Sequence, residues 1–545
     1  MTIERKVGMG IAGQPSGGAT DVAEVFSTYL FTGNNTTNVI NNGIDLAGEG
    51  GLVWLKQRGG SGSHGLYDTE RGASKIISSN STDAQFTGTD MSSFNSNGFT
   101  MGVANQSNFN NSNASSVSWT FRKKSGFLDC VTYTGNQSIR TISHGLDSPV
   151  GMLICKRTDT GGEWYVQHKD VAPNKELALQ STNGIPTGTT NSTFNNTAAT
   201  SSVFTLGTGG GTNATGGTYV AYLFADNSSE DVEDQMIKCG SYTGTGAAGN
   251  KISLGWEAQW VLIRRTDSDQ LWEMFDTMRG MDVGTALTGD ARLKANTNEA
   301  EGLYTYISPT ADGFELESGW GGGNASSGNY IYMAIRAPMM KEPEAATDVF
   351  AVDTRGSTGD GLKPSFRSPF PVDFTIAQPS NTLVAARLTG GSRLLTHSTA
   401  AQVASYYTAP EPFQYNNGWG QSLTTTPSVI SYMWKRAKGY MDVVAYSGSG
   451  SATTVPHSLG AVPEMIWVKC RSNANHWRCY SDTLGATKAL SLNMEDLPYT
   501  LADVWNNTEP TDEVFTLGNR ADVNANTYTY IAYLFATLAG VSKVG

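Results

Sequence analysis

The chain has few cysteines, no long apolar run and no leader-like start. Its cysteines are odd in number, form no CxxC pair and fall at Cys130, Cys155, Cys239, Cys470 and Cys479. A secreted disulfide scaffold would carry more of them, in even number, so we expect buried free thiols. No stretch reaches the roughly 18 apolar residues of a membrane span, and the start Met1 to Lys6 lacks the apolar core of a signal peptide. We therefore expect a soluble protein, made in a reducing cytoplasm, with no membrane span.

Charge of the kind that binds nucleic acid is also scarce. The formal net charge is −12, and charged residues make up 16% of the chain. The short basic clusters at 122–124 and 435–438 follow strand-like runs, and they indicate solvated strand ends more than a basic stripe. We expect no nucleic-acid partner.

Motifs of catalysis and metal binding are missing as well. The six histidines show no spacing with metal-ligand logic, and no nucleophile elbow, P-loop or dinucleotide fingerprint has its required setting. Paired glycosidase carboxylates meet only in space, so spacing does not test them. The acids that recur once per repeat are Asp68, Asp170, Asp276 and Asp482. We interpret them as structural turn residues or partners of a preceding base, and we predict a protein that is not an enzyme and has no metal or cofactor.

The composition that is present favours strands. Aromatic residues make up 10% of the chain, and there are 62 glycines, with Asn, Ser and Thr between the apolar runs. Aromatic and Thr side chains suit pleated surfaces, while Gly, Asn and Ser suit turns. Since 545 residues are too many for one core, we predict an all-β chain of several domains.

A repeat of about a hundred residues sets the predicted architecture. One landmark is an apolar strand ending in a base, as at Lys56, and another is an alternating aromatic strand that closes each repeat. The centres of the closing strands are 103, 111, 99 and 101 residues apart, at Trp119, Tyr222, Met333, Tyr432 and Tyr533. This is the size of a sandwich domain, not of a solenoid repeat.

We predict five tandem antiparallel β-sandwich modules, jelly-roll or lectin-like, after an N-terminal arm at 1–24. The modules span 25–126, 127–228, 236–337, 348–438 and 440–537, and the fourth is the most divergent. Both faces of the closing strand at 219–224 are apolar, so we expect the opposing sheet on one face and a neighbour or loop on the other. Short joints between modules predict fixed angles, as in a rod or compact stack.

Three tryptophans recur just before the acidic turn, at Trp164, Trp272 and Trp477. Two interpretations fit their positions. They can pack in the core, or they can stack on sugar rings as aromatic residues of sandwich lectins do. We favour the core and keep glycan contact as the alternative.

The ordered pattern of the repeats carries a family resemblance. The second module reads "YTGN…ISHGL…MLICKRTD…W" over 133–164, then "VFTLG" at 203–207 and "YVAYLFA" at 219–225, and the fifth module repeats this order. Over about residues 25–537 the units resemble domains of uncharacterised structural proteins of marine, cyanophage-like tailed phages, which look like concanavalin- or laminin-G-type sandwiches. The resemblance implies a virion component, a tail fibre or other structural protein, and no catalytic residues.

From these observations we expect a phage virion structural protein, in a tail fibre or tail-associated position, that mediates assembly and host-surface contact. Residues 1–24 are expected to attach it to other virion proteins, and copies are expected to associate as a homotrimer. Head decoration and a carbohydrate-binding adhesin array, with a host surface glycan as partner, are the alternatives. A polysaccharide-degrading tailspike is disfavoured because no short β-helix period is present.

Overall fold

The computed structural model describes residues 20–104, 107–186, 191–283, 289–339, 341–354, 363–378, 383–403, 412–420 and 429–545. These residues form an all-β structure of antiparallel sheets, which confirms the predicted fold class. Helical segments in the described chain have at most four residues. The α-helices are α1 (Leu46–Glu49), α2 (Gly210–Asn213), α3 (Ala502–Trp505) and α4 (Ala521–Asn524), and 3-10 turns lie at Val22–Glu24, Val232–Asp234, Ala346–Asp348 and Arg387–Thr389.

The strands fall into five stretches, which we call units 1 to 5. Unit 1 (26–122) has β1 (Phe26–Thr32), β2 (Asn38–Asn41), β3 (Gly51–Gln57), β4 (Gly65–Asp68), β5 (Lys75–Ile76), β6 (Phe86–Thr87), β7 (Met91–Asn95), β8 (Gly98–Met101) and β9 (Ser115–Arg122). Unit 2 (128–225) has β10 (Leu128–Thr134), β11 (Arg140–Ser143), β12 (Val150–Arg157), β13 (Trp164–His168), β14 (Leu177–Ala178), β15 (Val203–Leu206) and β16 (Thr218–Ala225). Unit 3 (237–336) has β17 (Ile237–Thr243), β18 (Asn250–Ser253), β19 (Ala258–Arg265), β20 (Trp272–Asp276), β21 (Asp290–Lys294), β22 (Gly302–Tyr304), β23 (Ile307–Thr310), β24 (Gly313–Leu316) and β25 (Asn329–Arg336).

The last two units follow the same plan. Unit 4 (350–434) has β26 (Phe350–Asp353), β27 (Phe366–Arg367), β28 (Phe374–Gln378), β29 (Leu383–Ala386), β30 (Leu394–Leu395), β31 (Gly418–Trp419) and β32 (Ile430–Trp434). Unit 5 (441–535) has β33 (Met441–Ser447), β34 (Thr453–Pro456), β35 (Met465–Cys470), β36 (Arg478–Ser481), β37 (Lys488–Ser491), β38 (Tyr499–Thr500), β39 (Val514–Leu517) and β40 (Thr529–Phe535).

Each unit has a large sheet with the same strand order. The first strand pairs with the last, the last with the third, and the third with the fourth, as in β1-β9-β3-β4 and β10-β16-β12-β13-β14. The closing aromatic strand therefore lies inside the sheet, hydrogen-bonded on both edges. A second, smaller sheet joins the second strand to a late strand, for example β2 to β8 and β34 to β39.

The inner face of each large sheet packs on its own small sheet. In unit 1, Val53 and Leu55 of β3 share a buried cluster with Ile40 of β2 and Phe99 of β8. Units 3, 4 and 5 have matching clusters. Alternation along each strand sends the next residues to the opposite, outer face.

The outer faces are buried between units. One apolar cluster joins the outer faces of units 1, 2 and 3, including Trp119, Tyr222 and Met333. A separate cluster joins units 4 and 5, where the Phe374 and Tyr533 ring centroids lie 4.5 Å apart. The neighbour expected on the second face of the closing strand is thus the large sheet of another unit, and the units are packed together instead of being separate globules in series.

The cysteines and the start of the described chain also belong to the packed interior. All five cysteines are free and buried, which confirms that prediction. Residues 1–19 of the predicted arm lie outside the described residues. Residues 20–24 are not a projecting arm, because Val22 is fully buried in the cluster of units 1 to 3. No helix of the described chain is long and apolar enough to cross a membrane.

Candidate functional site

The three tryptophans predicted either for the core or for sugar contact are fully buried. Trp164 begins β13, Trp272 begins β20, and Trp477 directly precedes β36. Each lies on the outer face of its sheet, where no ring face is open to solvent. Burial favours the packing interpretation and leaves no surface on these indoles for a sugar.

Each of these indoles donates to a neighbouring unit. The Nε1–H of Trp164 donates to the carbonyl oxygens of Ser78 and Ser81 of unit 1, each at 3.0 Å. Trp272 donates to the carbonyl of Ala178 in unit 2 at 3.2 Å. The recurring tryptophan thus forms a junction between units, because a buried indole needs an acceptor and the strand edge of the next unit supplies one.

Units 5 and 1 repeat the same junction. Trp477 donates to the carbonyl of Leu395 in unit 4 at 2.9 Å. In unit 1, His64 occupies the tryptophan position, and its Nε2 lies 3.0 Å from the carbonyl oxygen of Lys294 in unit 3. The Trp54 indole donates to His64 Nδ1 at 2.9 Å, so Nε2 carries the proton and donates to Lys294.

The base that ends the third strand points into the same junction. The ammonium of Lys156 donates to the carbonyl of Thr82 in unit 1 at 3.2 Å, and Arg264 donates to the carbonyl of Thr182 in unit 2 at 2.7 Å. Lys469 reaches Thr399 in unit 4 at 3.1 Å. Burial lowers the pKa values of Lys56, Lys156 and Lys469 to about 8. Carbonyl oxygens compensate for part of the lost hydration.

These contacts close a ring of three units within one chain. Unit 2 donates to unit 1, unit 3 donates to unit 2, and unit 1 donates to unit 3 through His64 and Lys56, whose ammonium lies 3.4 Å from the carbonyl of Asn298. Units 4 and 5 make one such junction, from unit 5 to unit 4. In the described chain the pair is not closed by a third unit.

The recurring acids divide into two kinds. Asp68 accepts from Arg71, three residues later, and from the Tyr222 hydroxyl of unit 2 at 2.7 Å. Asp276 accepts from Arg279 in the same way and from the Trp119 indole at 2.9 Å. They are structural turn residues, but their bases follow them, so the expected pairing with a preceding base is wrong here.

The other two acids, Asp170 and Asp482, do not lie at the position of Asp68 and Asp276, although the sequence suggested one recurring position. Strand pairing places His168 and Ser481 at the position of Asp68 and Asp276. Asp170 pairs with its preceding neighbour Lys169 at 2.9 Å, and Asp482 bonds the backbone of Thr483. Asp170 and Asp482 follow this position by two residues and one residue, respectively. His168 Nε2 lies 3.2 Å from the Tyr332 carbonyl of unit 3, so this position also joins units.

Clefts lie where units meet. One of about 420 Å³ lies between units 1, 3 and 4 beside the Glu257–Arg436 ion pair, and one of about 570 Å³ lies between units 3 and 5. Within the described ranges, no three His, Cys, Asp or Glu side chains meet in a way that could hold a metal ion.

A surface-reaching aromatic stack on unit 3 was missed by sequence reasoning. Tyr306 lies between Tyr304, at a centroid distance of 4.8 Å, and Trp320, at 4.3 Å, with planes within 8° of parallel. Tyr304 is 37% exposed. The Trp320 indole N–H is buried and has no hydrogen-bond partner in the described structure. The alternating aromatics Tyr304 and Tyr306, close to a Gly-rich loop after Trp320, are the signal that could have predicted it.

Charged groups hold this stack in place. Arg292 lies 4.9 Å from the Tyr304 ring centroid and forms a bidentate pair with the fully buried Glu273. Asp290 accepts from the backbone N–H groups of Tyr306 and Ile307, at 2.7 and 2.9 Å. Burial raises the pKa of Asp290 to about 7. The result is a flat, fixed aromatic surface with cationic and polar edges, which we call the unit 3 platform.

Comparison with known proteins gives a family and no assigned activity. A family model described as a domain of unknown function, DUF7483, matches residues 21–338 and 414–545. The match covers units 1, 2, 3 and 5 and omits most of unit 4. No curated protein matches the chain. With most of its length matched by that model, the chain belongs to the DUF7483 family.

Proposed function

We propose that the chain is a non-enzymatic structural protein of a tailed-phage virion, made of five tandem jelly-roll or lectin-like sandwich modules. It acts in a tail fibre or tail-associated position, in assembly and host-surface contact. Head decoration is the alternative position. The observation that carries the proposal is the use of buried polar groups at the junctions between units.

The buried lysines illustrate this use. A lysine with a pKa near 8 is the kind of group that enzymes use as a base or nucleophile. Lys469 is fully buried, however, and its ammonium donates to the carbonyls of Thr399, Cys470 and Asn475. Three donors with three acceptors leave no position for a substrate. Such a group stabilises an assembly of sheets, which is what a rigid particle component needs.

The virion position is tested on particles. An antibody against unit 5, applied to purified phage that encode this chain, is expected to label the tail. Labelling of the capsid would favour head decoration, and particles without the chain would contradict both positions. The attachment proposed for residues 1–24 is tested separately, by a deletion of residues 1–19 that leaves the buried Val22 in place. Normal incorporation of that variant would refute attachment by 1–19.

Carbohydrate binding is the second candidate function, and the unit 3 platform favours it. A flat, partly exposed ring beside an arginine offers an apolar face and a polar donor, which is the chemistry that binds a sugar ring. Tyr304 is thus the candidate ring for glycan contact, which the sequence had suggested for Trp164, Trp272 and Trp477.

A glycan array with titration of any ligand tests this second function. Tyr304→Ala removes the exposed ring and is expected to weaken binding about tenfold, the equivalent of about 1.4 kcal/mol, whereas Tyr304→Phe keeps the ring and serves as the matched control. Equal binding by the Ala variant would contradict a sugar site on the platform. Release of oligosaccharides from host polysaccharide by purified protein would contradict the non-enzymatic assignment.

A further inference from the structure

The closed ring of units 1 to 3 shows what covers the outer face of a unit. The central residues of its closing strands, Trp119, Tyr222 and Met333, are all buried by the sheets of the other two units. Each sheet in the ring both donates a base and an indole or imidazole to one neighbour and accepts from the other.

Units 4 and 5 are two sectors of the same arrangement. The contact from Trp477 to Leu395 matches the contact from Trp164 to Ser78, because strand pairing places Leu395 and Ser78 at one position of the repeat. The Lys469 contact to Thr399 likewise matches that of Lys156 to Thr82. By this equivalence unit 5 sits on unit 4 as unit 2 sits on unit 1.

No unit of the described residues fills the third sector of this second arrangement. Val352 is 51% exposed and Ile430 is 37% exposed. The residues at the same positions of unit 2, Cys130 and Val220, are buried. We call the surface to which Val352 and Ile430 belong the open face. Its half-buried or exposed apolar members are Val352, Ile376, Ile430, Tyr432, Trp434 and Trp467.

Among the described residues, a donor position and an acceptor position of the junction lie at this face without the contacts that they make in units 1 to 3. On unit 4, Gln378 takes the place of the buried base and is exposed. On unit 5, Ser491 takes the acceptor position of Ser78 and Ala178, and it receives no indole or imidazole from the described residues. The next residue, Leu492, is 36% exposed, whereas Leu179 at that position in unit 2 is buried.

We propose that the open face binds the open face of a second copy of this chain. This deepens the self-association that forms part of the proposed function, and it favours a two-fold dimer over the homotrimer expected from the sequence. The donor position is on unit 4 and the acceptor position is on unit 5, so two copies related by a two-fold axis satisfy both positions of each other.

Two further observations support a second copy. One depression of about 400 Å³ lies between the two units. It is lined by Ile376, Gln378 and Tyr432 of unit 4 and by Trp467 and Leu492 of unit 5. This depression can receive an apolar side chain of the opposite copy. The base that the ring uses is replaced by neutral Gln378, which costs less to bury than a lysine when the face is covered. The family model omits residues 339–413, which include Val352, Ile376 and Gln378 of the open face.

The test is the mass of the full chain in solution. Light-scattering and sedimentation measurements over a wide concentration range are expected to give a dimer. The variants Trp467→Glu and Tyr432→Glu are expected to be monomers, with a dimer dissociation constant raised at least a hundredfold. Ile139→Glu, at a site in unit 2 that is 59% exposed, is the matched control and is expected to remain a dimer.

Hydrogen exchange of the wild-type chain separates a binding effect from a folding effect. Residues 350–353 and 430–434 are expected to become more protected as the concentration rises, while residues 26–32 stay unchanged. A monomer at every concentration, an oligomer that both face variants leave intact, or a trimer would overturn the two-fold arrangement. None of these outcomes changes where the chain lies in a particle, which the antibody experiment reports.

Discussion

Units 1 to 3 and units 4 to 5 contain the same sheet but differ in how its outer face is covered. In the first group the outer face of every sheet is covered by two other sheets. In the second group, within the described residues, the outer face of each sheet packs on one other large sheet. The difference teaches that the recurring base and indole belong to a junction and not to the interior of a single unit. Where the described residues provide no partner for the junction, Gln378 stands in the place of the base.

The ring is also built from non-identical contacts. The fully buried Arg279 pairs with the fully buried Asp276 and with the largely buried Glu301, and it lies 5.2 Å from the Trp119 ring centroid. At the matching position of unit 2, His168 and the apolar Val171 replace this charge. The ring therefore closes with different side chains at the matching positions of its units.

Replacement of a junction tryptophan is expected to have the largest effect. Trp164→Ala removes a fully buried ring and leaves a cavity between units 1 and 2, which costs about 3–5 kcal/mol. Trp467→Ala on the half-buried open face is expected to cost about 1 kcal/mol or less. Urea denaturation followed by tryptophan fluorescence measures both. Equal losses for the two variants would break the distinction between closed and open regions.

Replacement of a junction base is expected to have the next largest effect. Lys156→Gln copies the residue that unit 4 carries and replaces the ammonium that donates to the Thr82 and Arg157 carbonyls with a shorter, neutral amide. We expect a loss of about 1–3 kcal/mol in the free energy of unfolding. Lys156→Arg copies unit 3, where Arg264 makes the equivalent contacts, and should lose less. The same urea titration compares the two variants. A Gln variant as stable as the Arg variant would show that the base does not stabilise the junction.

Mild acid is expected to lower the stability of units 1 to 3 more than that of units 4 and 5. Burial lowers the pKa of His64 to about 3 and that of His168 to about 4, from an ordinary value of 6.5. A base with a lowered pKa in the folded state binds fewer protons there than in the unfolded state. The free energy of unfolding therefore falls as the pH falls from about 6.5 toward these values.

Between pH 7 and pH 5 each imidazole is expected to cost about 2 kcal/mol, because a pKa unit corresponds to about 1.4 kcal/mol. Protonation of His64 would also turn its Nδ1, which accepts from Trp54, into a donor. The measurement is thermal unfolding at pH 7 and pH 5. The variant His64→Gln is the control, and an unchanged pH dependence in that variant would contradict the assignment to His64.

The sequence predicted much of the fold but little of the candidate sites. The period of the closing strands located Trp119, Tyr222, Met333, Tyr432 and Tyr533 at truly equivalent positions, because strand pairing and side-chain alternation are local and repeat with the chain. Closure of the ring was not predictable, since a tryptophan in a core and a tryptophan between units leave the same pattern. The unit 3 platform depends on β22, which brings Tyr304 close to Tyr306. Unit 5 has a strand in the matching place, β38, but its sequence lacks this pair of tyrosines, so the repeat does not predict the platform.

A charge at position 378 is expected to have the smallest effect on folding, and it separates the stability of the chain from binding at the open face. Gln378 is exposed, so Gln378→Glu should change the free energy of unfolding of the monomer by no more than about 0.5 kcal/mol. At a covered face the carboxylate would be buried against backbone carbonyls, which repel it, and dimerisation should weaken at least tenfold. Gln378→Met, of similar size and uncharged, loses only the amide donor and should weaken the dimer less than Gln378→Glu does. Sedimentation at matched concentrations measures the difference, and a Glu variant that dimerises as well as the Met variant would place position 378 outside the contact.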